Sequence, residues 1–360
     1  MLLTLKIKLL PTNEQREKLL KTMRAFNAAC DYISQKAFST STFHQSGVHR
    51  LTYYEAREKF LLSSQMAVRA VGKVCDSYKL DKKTLRTFQP LGAIVYDQRI
   101  LSFNGLETAS ILTLDGRIKV PMVFAEYHDG LVKGNHVRGQ ADLCYIDGEF
   151  YLMLVVDIPN APKGKPIEYL GVDFGIVQIA STSDGDSFCG KAVRNVRYRN
   201  QKLRKKLQAK QTKSAKRLLK KRRRKEQRFS TWVNHNISKK IVNVAKDTQR
   251  GIAIEDLNGI RERVNTVRKA QRIALSNWAF YQLRQFLTYK AFLNGVELVA
   301  VDPRNTSRTC PKCGNIDKKN RKTQSKFQCT ACGFVANADI NAAGNIASRA
   351  VVNQPYAEVA

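Results

Sequence analysis

The chain has 360 residues, 43% of them hydrophobic, and 62 Lys and Arg stand against 30 Asp and Glu, for a formal net charge of +32. This length can bury a core in two or three domains, and the charge exceeds what solubility requires, which predicts a polyanionic partner. No run of 18 apolar residues suggests a membrane span, and eight Cys are too few for a disulfide scaffold. We therefore expect a nucleic-acid-handling protein of a reducing compartment.

The chain begins with the pattern of a strand followed by helices. Residues 2–9 alternate as in a strand, and Thr12 and Gln15 have the spacing of a capping box at the start of a helix. Apolar residues at helical spacing predict a second helix from about Tyr54 to Tyr78. This part of the sequence predicts a strand and a helical pair.

Short β runs then occupy residues 88–158. Asp115-Gly116 and Asp147-Gly148 each lie between apolar stretches, which is the strongest short-range signal for a hairpin. The first half of the chain is therefore predicted to be an antiparallel barrel or sheet into which a helical pair is inserted.

After a Pro- and Gly-containing linker at 160–166, the pattern changes to strands separated by helices. Residues 169–180 and 251–257 are apolar enough for buried strands, and 297–302 is a further short strand. An amphipathic helix is predicted at about 278–292. This order of elements indicates an α/β domain.

Four cysteines form two CxxC pairs separated by fifteen residues, Cys310 with Cys313 and Cys329 with Cys332. A Gly after each pair supports a tight turn, so that all four thiolates can face one ion. A disulfide pair or a redox CxxC is the alternative, but the spacing matches a zinc ribbon, and four protein ligands make the Zn²⁺ structural. The remaining cysteines stand alone in apolar surroundings and are predicted to be small core residues: Cys30, Cys75, Cys144 and Cys189.

Residues 191–228 contain 19 Lys and Arg and one acid, Glu226. A solvated surface helix or a localisation signal would need fewer cations, so we predict contact with a nucleic-acid backbone, as along an RNA or RNA–DNA duplex. The candidate contact residues are Arg194, Arg197, Arg199, Lys202, Arg204, Lys205, Lys206, Lys210, Lys213, Arg217, Lys221, Arg222, Arg223 and Arg224.

Three acids lie on predicted core elements. Asp173 and Glu255 stand in buried strands, and Asp339 begins a helix after the cysteines. Each has an ordinary alternative, as a satisfied turn residue, a strand-end charge or a helix cap. Together they form a set of hard oxygen ligands that suits Mg²⁺ or Mn²⁺, and two such ions can catalyse an in-line phosphodiester displacement.

These motifs together resemble the TnpB (OrfB) family, compact transposon-encoded relatives of the type V CRISPR effectors. The motifs are Gly171-Val-Asp173-Phe-Gly, Ile254-Glu255-Asp-Leu, Thr306-Ser-Arg-Thr-Cys310-Pro-Lys-Cys313-Gly, Cys329-Thr-Ala-Cys332-Gly and Asn337-Ala-Asp339-Ile-Asn-Ala-Ala-Gly-Asn-Ile. The resemblance covers roughly residues 165–350. Over residues 1–160 it depends on architecture alone.

The resemblance implies a multidomain α/β plus β protein. An N-terminal wedge-like β-barrel would carry an inserted helical recognition lobe, and a split RNase H-like (RuvC) nuclease domain would carry an inserted zinc ribbon. The implied boundaries are 1–10 and 86–160 for the barrel, 11–85 for the lobe, 161–302 and 336–350 for the nuclease domain with basic helices at about 191–248, 303–335 for the ribbon and 351–360 for a tail.

The resemblance further implies an RNA-guided DNA endonuclease whose catalytic acids are Asp173, Glu255 and Asp339. Its partners would be a guide RNA from the transposon end and double-stranded DNA with a short adjacent motif, while base pairing reads the sequence. We expect a monomer on one guide RNA rather than a dimer, no membrane partner, and a prokaryotic cytoplasmic protein acting at the nucleoid.

Two departures from the family pattern bear on this interpretation. Relatives often carry an Arg close before the third Cys, where it helps at the scissile phosphate, and here the candidate is Arg321. Relatives also often have Asp-Arg before the final Asp, where this chain has Asn337-Ala338. The alternatives are a transposase or resolvase that uses the same acids without a guide RNA, and an RNA-guided DNA-binding repressor without catalysis.

Overall fold

A computed structural model describes residues 1–159, 166–222, 224–257 and 280–352. The chain divides into two units, Met1–Pro159 and Asn160–Ala360. Within the described ranges, no helix combines the length and apolarity that a bilayer crossing requires. Some predicted features lie outside the described residues. They are most of the linker, Arg223, the start of the helix predicted at 278 and most of the tail.

Seven antiparallel strands form the sheet of the first unit. They are β1 (Leu2–Leu9), β2 (Ile94–Asp97), β3 (Leu101–Asn104), β4 (Thr108–Thr113), β5 (Gly116–Val123), β6 (His136–Ile146) and β7 (Glu149–Asp157). Their order is β2-β6-β7-β1-β5-β4-β3. Because the two edge strands β2 and β3 follow each other in the chain, the ends of the sheet meet and the sheet is a nearly closed barrel. The Tyr96 hydroxyl donates to the Leu112 carbonyl at 2.9 Å across this junction. The predicted β-barrel is confirmed.

Both predicted hairpins are present, joining β4 to β5 and β6 to β7. Gly116 has φ of +98°, while Asp147 and Gly148 have φ of +54° and +90°. In the β6–β7 turn both central residues, Asp147 and Gly148, therefore have the positive φ of the type I′ turn that Asp-Gly favours, whereas in the β4–β5 turn Thr113 pairs with Gly116 and the two residues between them lack positive φ.

Four helices accompany the barrel: α1 (Asn13–Ser39), α2 (Gln45–Lys59), α3 (Ser64–Leu80) and α4 (Glu126–Lys133). The capping box of Thr12 and Gln15 is present at the start of α1. The prediction of one helix from Tyr54 to Tyr78 is wrong, because the chain breaks between α2 and α3. Leu61 adopts φ of +53° there, and the Ser63 side chain caps α3 by accepting a hydrogen bond from the Met66 amide.

The second unit is built on a five-stranded sheet in the order β10-β9-β8-β11-β12. The strands are β8 (Tyr169–Asp173), β9 (Gln178–Thr182), β10 (Ser187–Cys189), β11 (Gly251–Glu255) and β12 (Leu298–Val301). β11 is parallel to β8 and β12, whereas β9 pairs antiparallel with β8 and β10. This mixed sheet with helices on both faces has the architecture of the predicted RNase H-like domain.

In the described part of this unit, the helices are α5 (Lys191–Lys210), α6 (Lys213–Arg222), α7 (Lys225–Asp247), α8 (Phe280–Leu293) and α9 (Ala338–Val352). Buried residues of α7 and α8 pack with Leu170, Val172, Ile252 and Ile254 on one face of the sheet. Apolar residues of α9 pack on the other face. The helices thus hold the central strands β8 and β11 between two layers.

The helix α9 lies directly on β8 because Gly171 has no side chain. A Cβ atom at this position would stand 1.9 Å from the Ala343 carbonyl oxygen. Only glycine permits this approach, which fixes the first turn of α9 near the carboxyl end of β8.

The segment between β12 and α9 carries the four clustered cysteines, with short strands β13 (Lys326–Gln328) and β14 (Val335–Asn337). Among the other cysteines, Cys30 and Cys75 are buried as predicted and Cys144 is half-buried. The prediction for Cys189 is wrong. It ends the edge strand β10 and is exposed.

Candidate active site

The parallel pairing of β8 and β11 places two of the predicted acids side by side. Val172 pairs with Ile254 in this register, and Asp173 and Glu255 are the next residues of the two strands. Carboxyl ends of neighbouring parallel strands meet at one edge of a sheet, where ligands commonly bind. The sheet therefore brings together two residues that are 82 positions apart in the sequence.

Asp339 is the third acid and occupies the first turn of α9. The cap of this helix is Asn337, whose side-chain oxygen accepts hydrogen bonds from the amides of Asp339 at 2.9 Å and Ile340 at 3.2 Å. Since Asn337 does the capping, the Asp339 carboxylate is available for another role. The contact between Gly171 and Ala343, one turn further along α9, brings Asp339 to the end of β8.

The three carboxylates interact electrostatically. Burial, followed by the charges of Glu255 and Asp339, raises the pKa of Asp173 to about 7, while the positive charge of Arg321 opposes that rise. Burial also raises the pKa of Glu255. Carboxylates that lie close together and are partly desolvated repel one another, which costs free energy, and a bound cation offsets this cost.

The ligand atoms of these acids are not all in mutual contact. Among the residues that the structure describes, the cysteine cluster is the only group of three or more potential ligands whose ligand atoms all lie within 4.8 Å of one another. The three carboxylates therefore lie further apart than the cysteine thiols, and their oxygens are the hard ligands that Mg²⁺ and Mn²⁺ prefer.

Arg321 lies at this site. Its guanidinium donates to Asp339 Oδ1 at 3.0 Å and to the Gln324 carbonyl at 2.9 Å. Both partners of the ion pair are mostly buried, with 27% and 15% of the side chains exposed. The segment between the CxxC pairs thus contributes a cation directly to the carboxylates.

Sequence reasoning gave no role to Thr306, which the structure places against Glu255. Its hydroxyl donates to Glu255 Oε1 at 2.5 Å, and the residue is 3% exposed. Asn345 of α9 donates to the carbonyls of Thr306 and Thr309, both at 2.8 Å. The Thr306-Ser-Arg-Thr motif ahead of Cys310 was the available signal, but its contact with β11 joins residues 51 positions apart.

The other acids near these strands have different surroundings. Asp184 accepts a hydrogen bond from Arg250 Nη1 at 2.8 Å, and Asp256 accepts one from Arg284 Nη1 at 3.1 Å. The Asp302 side chain accepts from the Arg304 amide at 3.0 Å. None of these acids is among the main causes of the raised pKa of Asp173.

The four cysteines converge on one point. Cys310 Sγ lies 3.6 Å from Cys332 Sγ, and Cys313 Sγ lies 3.6 Å from Cys329 Sγ. A tetrahedral zinc ion with Zn–S bonds of about 2.3 Å separates its sulfurs by about 3.8 Å, so the cluster is compatible with a closed zinc site. Backbone N–H groups, that of Cys332 first, lower the pKa of Cys329 to about 6, which favours the thiolate that binds metal.

The basic stretch folds into α5, α6 and the start of α7, and most of its predicted contact residues are exposed. Glu226 pairs with Arg204 at 3.1 Å and with Arg197 at 3.6 Å, and Arg222 donates to Asn200 at 3.2 Å. Arg197 and Arg222 are half-buried and also hold the helices together. The exposed candidates are Arg194, Arg199, Lys202, Arg204, Lys205, Lys206, Lys210, Lys213, Arg217, Lys221 and Arg224.

Two family models match ranges that lie mostly in the second unit. The model described as "Probable transposase" (OrfB_IS605) matches residues 153–260, and the model described as "Cas12f1-like, TNB domain" matches residues 280–346. The first match includes Asp173 and Glu255, and the second includes Arg321, Asp339 and the cysteine cluster.

The chain is also similar to named relatives. It is 43% identical over 120 residues to the CRISPR-associated endodeoxyribonuclease Cas12f1 of Sulfoacidibacillus thermotolerans, which covers 33% of this chain and 27% of that protein. It is 30% identical over 217 residues to the "Putative RNA-guided DNA endonuclease InsQ" of Escherichia coli K12, which covers 55% of this chain and 53% of that protein. The chain thus spans about half or less of the length of these relatives.

Among solved structures, the chain resembles the protein in a cryo-EM structure of a Cas12f1–sgRNA–target DNA complex. The TM-score is 0.59 at 15% identity, and the match covers 92% of this chain and 82% of that one. The fold is therefore similar to that of this Cas12f1 protein, as predicted. Over these ranges the chain is similar to TnpB/OrfB proteins, and the resemblance inferred from its motifs is confirmed.

Proposed function

We propose that this protein is a transposon-associated RNA-guided DNA endonuclease. The observation that carries the proposal is the convergence of Asp173, Glu255 and Asp339 at one edge of an RNase H-like sheet. The names of the relatives support it, since one is called an endodeoxyribonuclease and another an RNA-guided DNA endonuclease. The double-stranded DNA substrate, its short adjacent motif and the guide RNA all belong to this proposal.

The three carboxylates would hold Mg²⁺ or Mn²⁺. When bound, two such ions would activate a water and stabilise the leaving 3′ oxygen of the DNA backbone. Thr306 orients one oxygen of Glu255, and the cap at Asn337 fixes the backbone that carries Asp339. Arg321 would supply positive charge to the scissile phosphate, and its ion pair with Asp339 positions it there.

The exposed cations of α5 and α6 would hold the guide RNA and its duplex with the target by their backbones. The barrel would act as the wedge, the helices of the first unit as the recognition lobe, and one chain would serve one guide RNA. We propose a structural Zn²⁺ on the four cysteines, which would contribute folding energy to the ribbon. A prokaryotic cytoplasmic location at the nucleoid belongs to the same proposal.

The test begins with sequencing the RNA that co-purifies with the protein expressed from its native locus. We expect one RNA of defined sequence, and changing its guide segment should redirect cleavage to the matching DNA. The variant Asp173→Ala should bind this RNA and target normally while losing cleavage, because only metal coordination is removed. Cleavage by Asp173→Ala at the parental rate would refute the catalytic assignment.

A second candidate is a transposase that joins DNA strands without a guide RNA, which the description of the matching family model favours. The same acids could perform strand transfer, because it is also an in-line displacement at phosphate. Joined products from transposon-end DNA in the absence of any RNA would support this function and exclude the first.

A further inference from the structure

Several aromatic rings of α7 and α8 are partly or largely exposed to solvent. Phe229 stacks on Trp232 with ring centroids 6.1 Å apart, and His235 stacks on Phe286 at 3.9 Å. Phe286 meets Tyr289 edge to face at 5.9 Å. We refer to these five residues, together with Tyr281 at the start of α8, as the aromatic row.

Two rings of the aromatic row are strongly exposed. Trp232 and Tyr281 present 63% and 68% of their surface to solvent. The two residues are close to one another in the fold, since the Gln282 side chain bonds to Thr231 and Asn234 of α7, both at 3.0 Å. Neither ring is needed for the core, whose buried contacts from α8 come from other residues of that helix. Large exposed rings grouped in this way mark an interaction surface.

Charge identifies the kind of partner that fits the row. Arg228 lies one turn before Trp232, and Lys225 and Lys239 lie on the same helix, all three exposed. Exposed rings bordered by cations are the combination that binds single-stranded nucleic acid, since bases stack on rings while phosphates face the cations. A duplex would keep its bases stacked on one another and could not use the rings.

One end of the aromatic row lies near the carboxylates. Arg284 of α8 bonds to Asp256, which directly follows Glu255. Phe174, which directly follows Asp173, packs in the same apolar cluster as Phe229 and Phe280. The end of the row that carries Trp232 and Tyr281 is therefore at the carboxyl edge of the sheet, where the acids lie.

We infer that the aromatic row binds single-stranded DNA by base stacking and guides it to the carboxylates. Its role in feeding a substrate strand rests on the proposed nuclease function, whereas its affinity for single strands does not. The probe is a fluorescein-labelled oligothymidylate, and its binding to the full chain with its co-purified RNA is measured by anisotropy at several salt concentrations.

Trp232→Ala should weaken oligothymidylate binding by about tenfold, which corresponds to about 1.4 kcal/mol, because one base loses its stacking partner. The slope of log affinity against log salt should stay unchanged, because no cation is removed. Trp232→Phe should retain most of the affinity. The matched control is Tyr54→Ala, which removes a ring that is 76% exposed on α2 of the other unit and should leave binding unchanged.

Affinity of Trp232→Ala within twofold of the parent would overturn the inference, as would an equal loss in Tyr54→Ala. Photocrosslinking with 5-bromodeoxyuridine in the oligonucleotide should label the peptides that contain Trp232 or Tyr281, and labelling elsewhere alone would also overturn it. If the parent protein binds the oligonucleotide through the row but never cleaves DNA, only the proposed function is contradicted. If the parent cleaves DNA under RNA guidance but its oligonucleotide affinity does not depend on Trp232, only the inference is contradicted.

Discussion

Asp173 is the residue whose surroundings depend most on the convergence of the acids. Its pKa of about 7 results from burial and from the charges of Glu255 and Asp339. Folding therefore favours the protonated form, and this acid costs stability as the pH rises from its ordinary pKa of 3.8 towards 7. Above pH 7 the cost is constant, because the side chain is then charged in both states.

In magnesium-free buffer, Asp173→Asn should therefore stabilise the protein, and by up to about 2 kcal/mol more at pH 7.5 than at pH 5.5. Urea unfolding at the two pH values measures this difference. The control Asp184→Asn should instead destabilise the protein, by the same amount at both pH values, because the hydrogen bond from Arg250 lowers the pKa of Asp184 and folding favours its charged form. A gain for Asp173→Asn that does not change with pH would contradict the predicted electrostatics.

Thr306 tests whether the orientation of Glu255 matters. Thr306→Val should reduce cleavage by about 10–100-fold and raise the Mg²⁺ concentration needed for half-maximal rate, because residues that orient metal ligands have effects of this size. Single-turnover cleavage across a Mg²⁺ series measures both, and Thr306→Ser should restore them.

The matched control is Thr309→Val in the same loop, whose hydroxyl donates to the Asn305 carbonyl instead of a carboxylate. Equal losses in Thr306→Val and Thr309→Val would show that the loop is sensitive in general and that Glu255 is not specifically positioned by Thr306.

Among the elements, α9 depends on one close backbone contact. Gly171→Ala should destabilise the protein by about 3 kcal/mol and lower cleavage, because its Cβ would collide with the Ala343 carbonyl and lift Asp339 away from β8. Thermal unfolding measures the loss.

The control is Gly344→Ala, which makes the same substitution in α9, at the residue after Ala343. A Cβ there meets nothing within 4 Å, so this variant should gain about 0.5–1 kcal/mol from the better helix former. Similar unfolding temperatures for the two variants would contradict the proposed packing of α9 on β8.

Local patterns were sufficient to predict most elements of the fold. The capping box of α1, the two Asp-Gly hairpins and the apolar strands β8 and β11 depend on neighbouring residues, so the sequence contains their causes. The break at Leu61 could not be predicted in this way. Leu rarely takes positive φ, and the apolar spacing around Ser63 continues as in a single helix, which hides its role as a helix cap.

Some residues of the candidate site could likewise be predicted from local patterns, and others could not. Asp173, Glu255 and Asp339 were identified because acids stand out in apolar surroundings, and Arg321 through the family pattern. The Thr306 contact with Glu255, the pairing of Arg197 with Glu226 and the exposure of Trp232 arise from residues far apart in the chain. No local pattern encodes such contacts, so only the folded chain shows them.

For the whole molecule, the charge of +32 predicts that RNA binding depends strongly on salt. Replacing Lys202, Lys205 and Lys206 of α5 together with Ala should reduce the slope of log affinity against log salt by about 2–3, since each lost phosphate contact contributes about 0.7–0.9. Filter binding of the co-purified RNA at several salt concentrations gives the slope.

A control triple removes the same number of charges from the first unit, at lysines that each pair with an acid on the same helix. These lysines are Lys18, Lys79 and Lys133. An equal change of slope in both triple variants would mean that net charge alone, and not the position of α5, determines the binding.

Catalysis as proposed requires that three acids from separate parts of the chain share bound divalent ions. Iron-directed cleavage tests this sharing, since Fe²⁺ that replaces Mg²⁺ produces radicals that cut the polypeptide beside the ion. With ascorbate and peroxide, mass spectrometry should find cuts close to residues 173, 255 and 339 together, and all three should be suppressed by excess Mg²⁺. Cuts near only one of these positions, or cuts that Mg²⁺ does not suppress, would contradict a shared site.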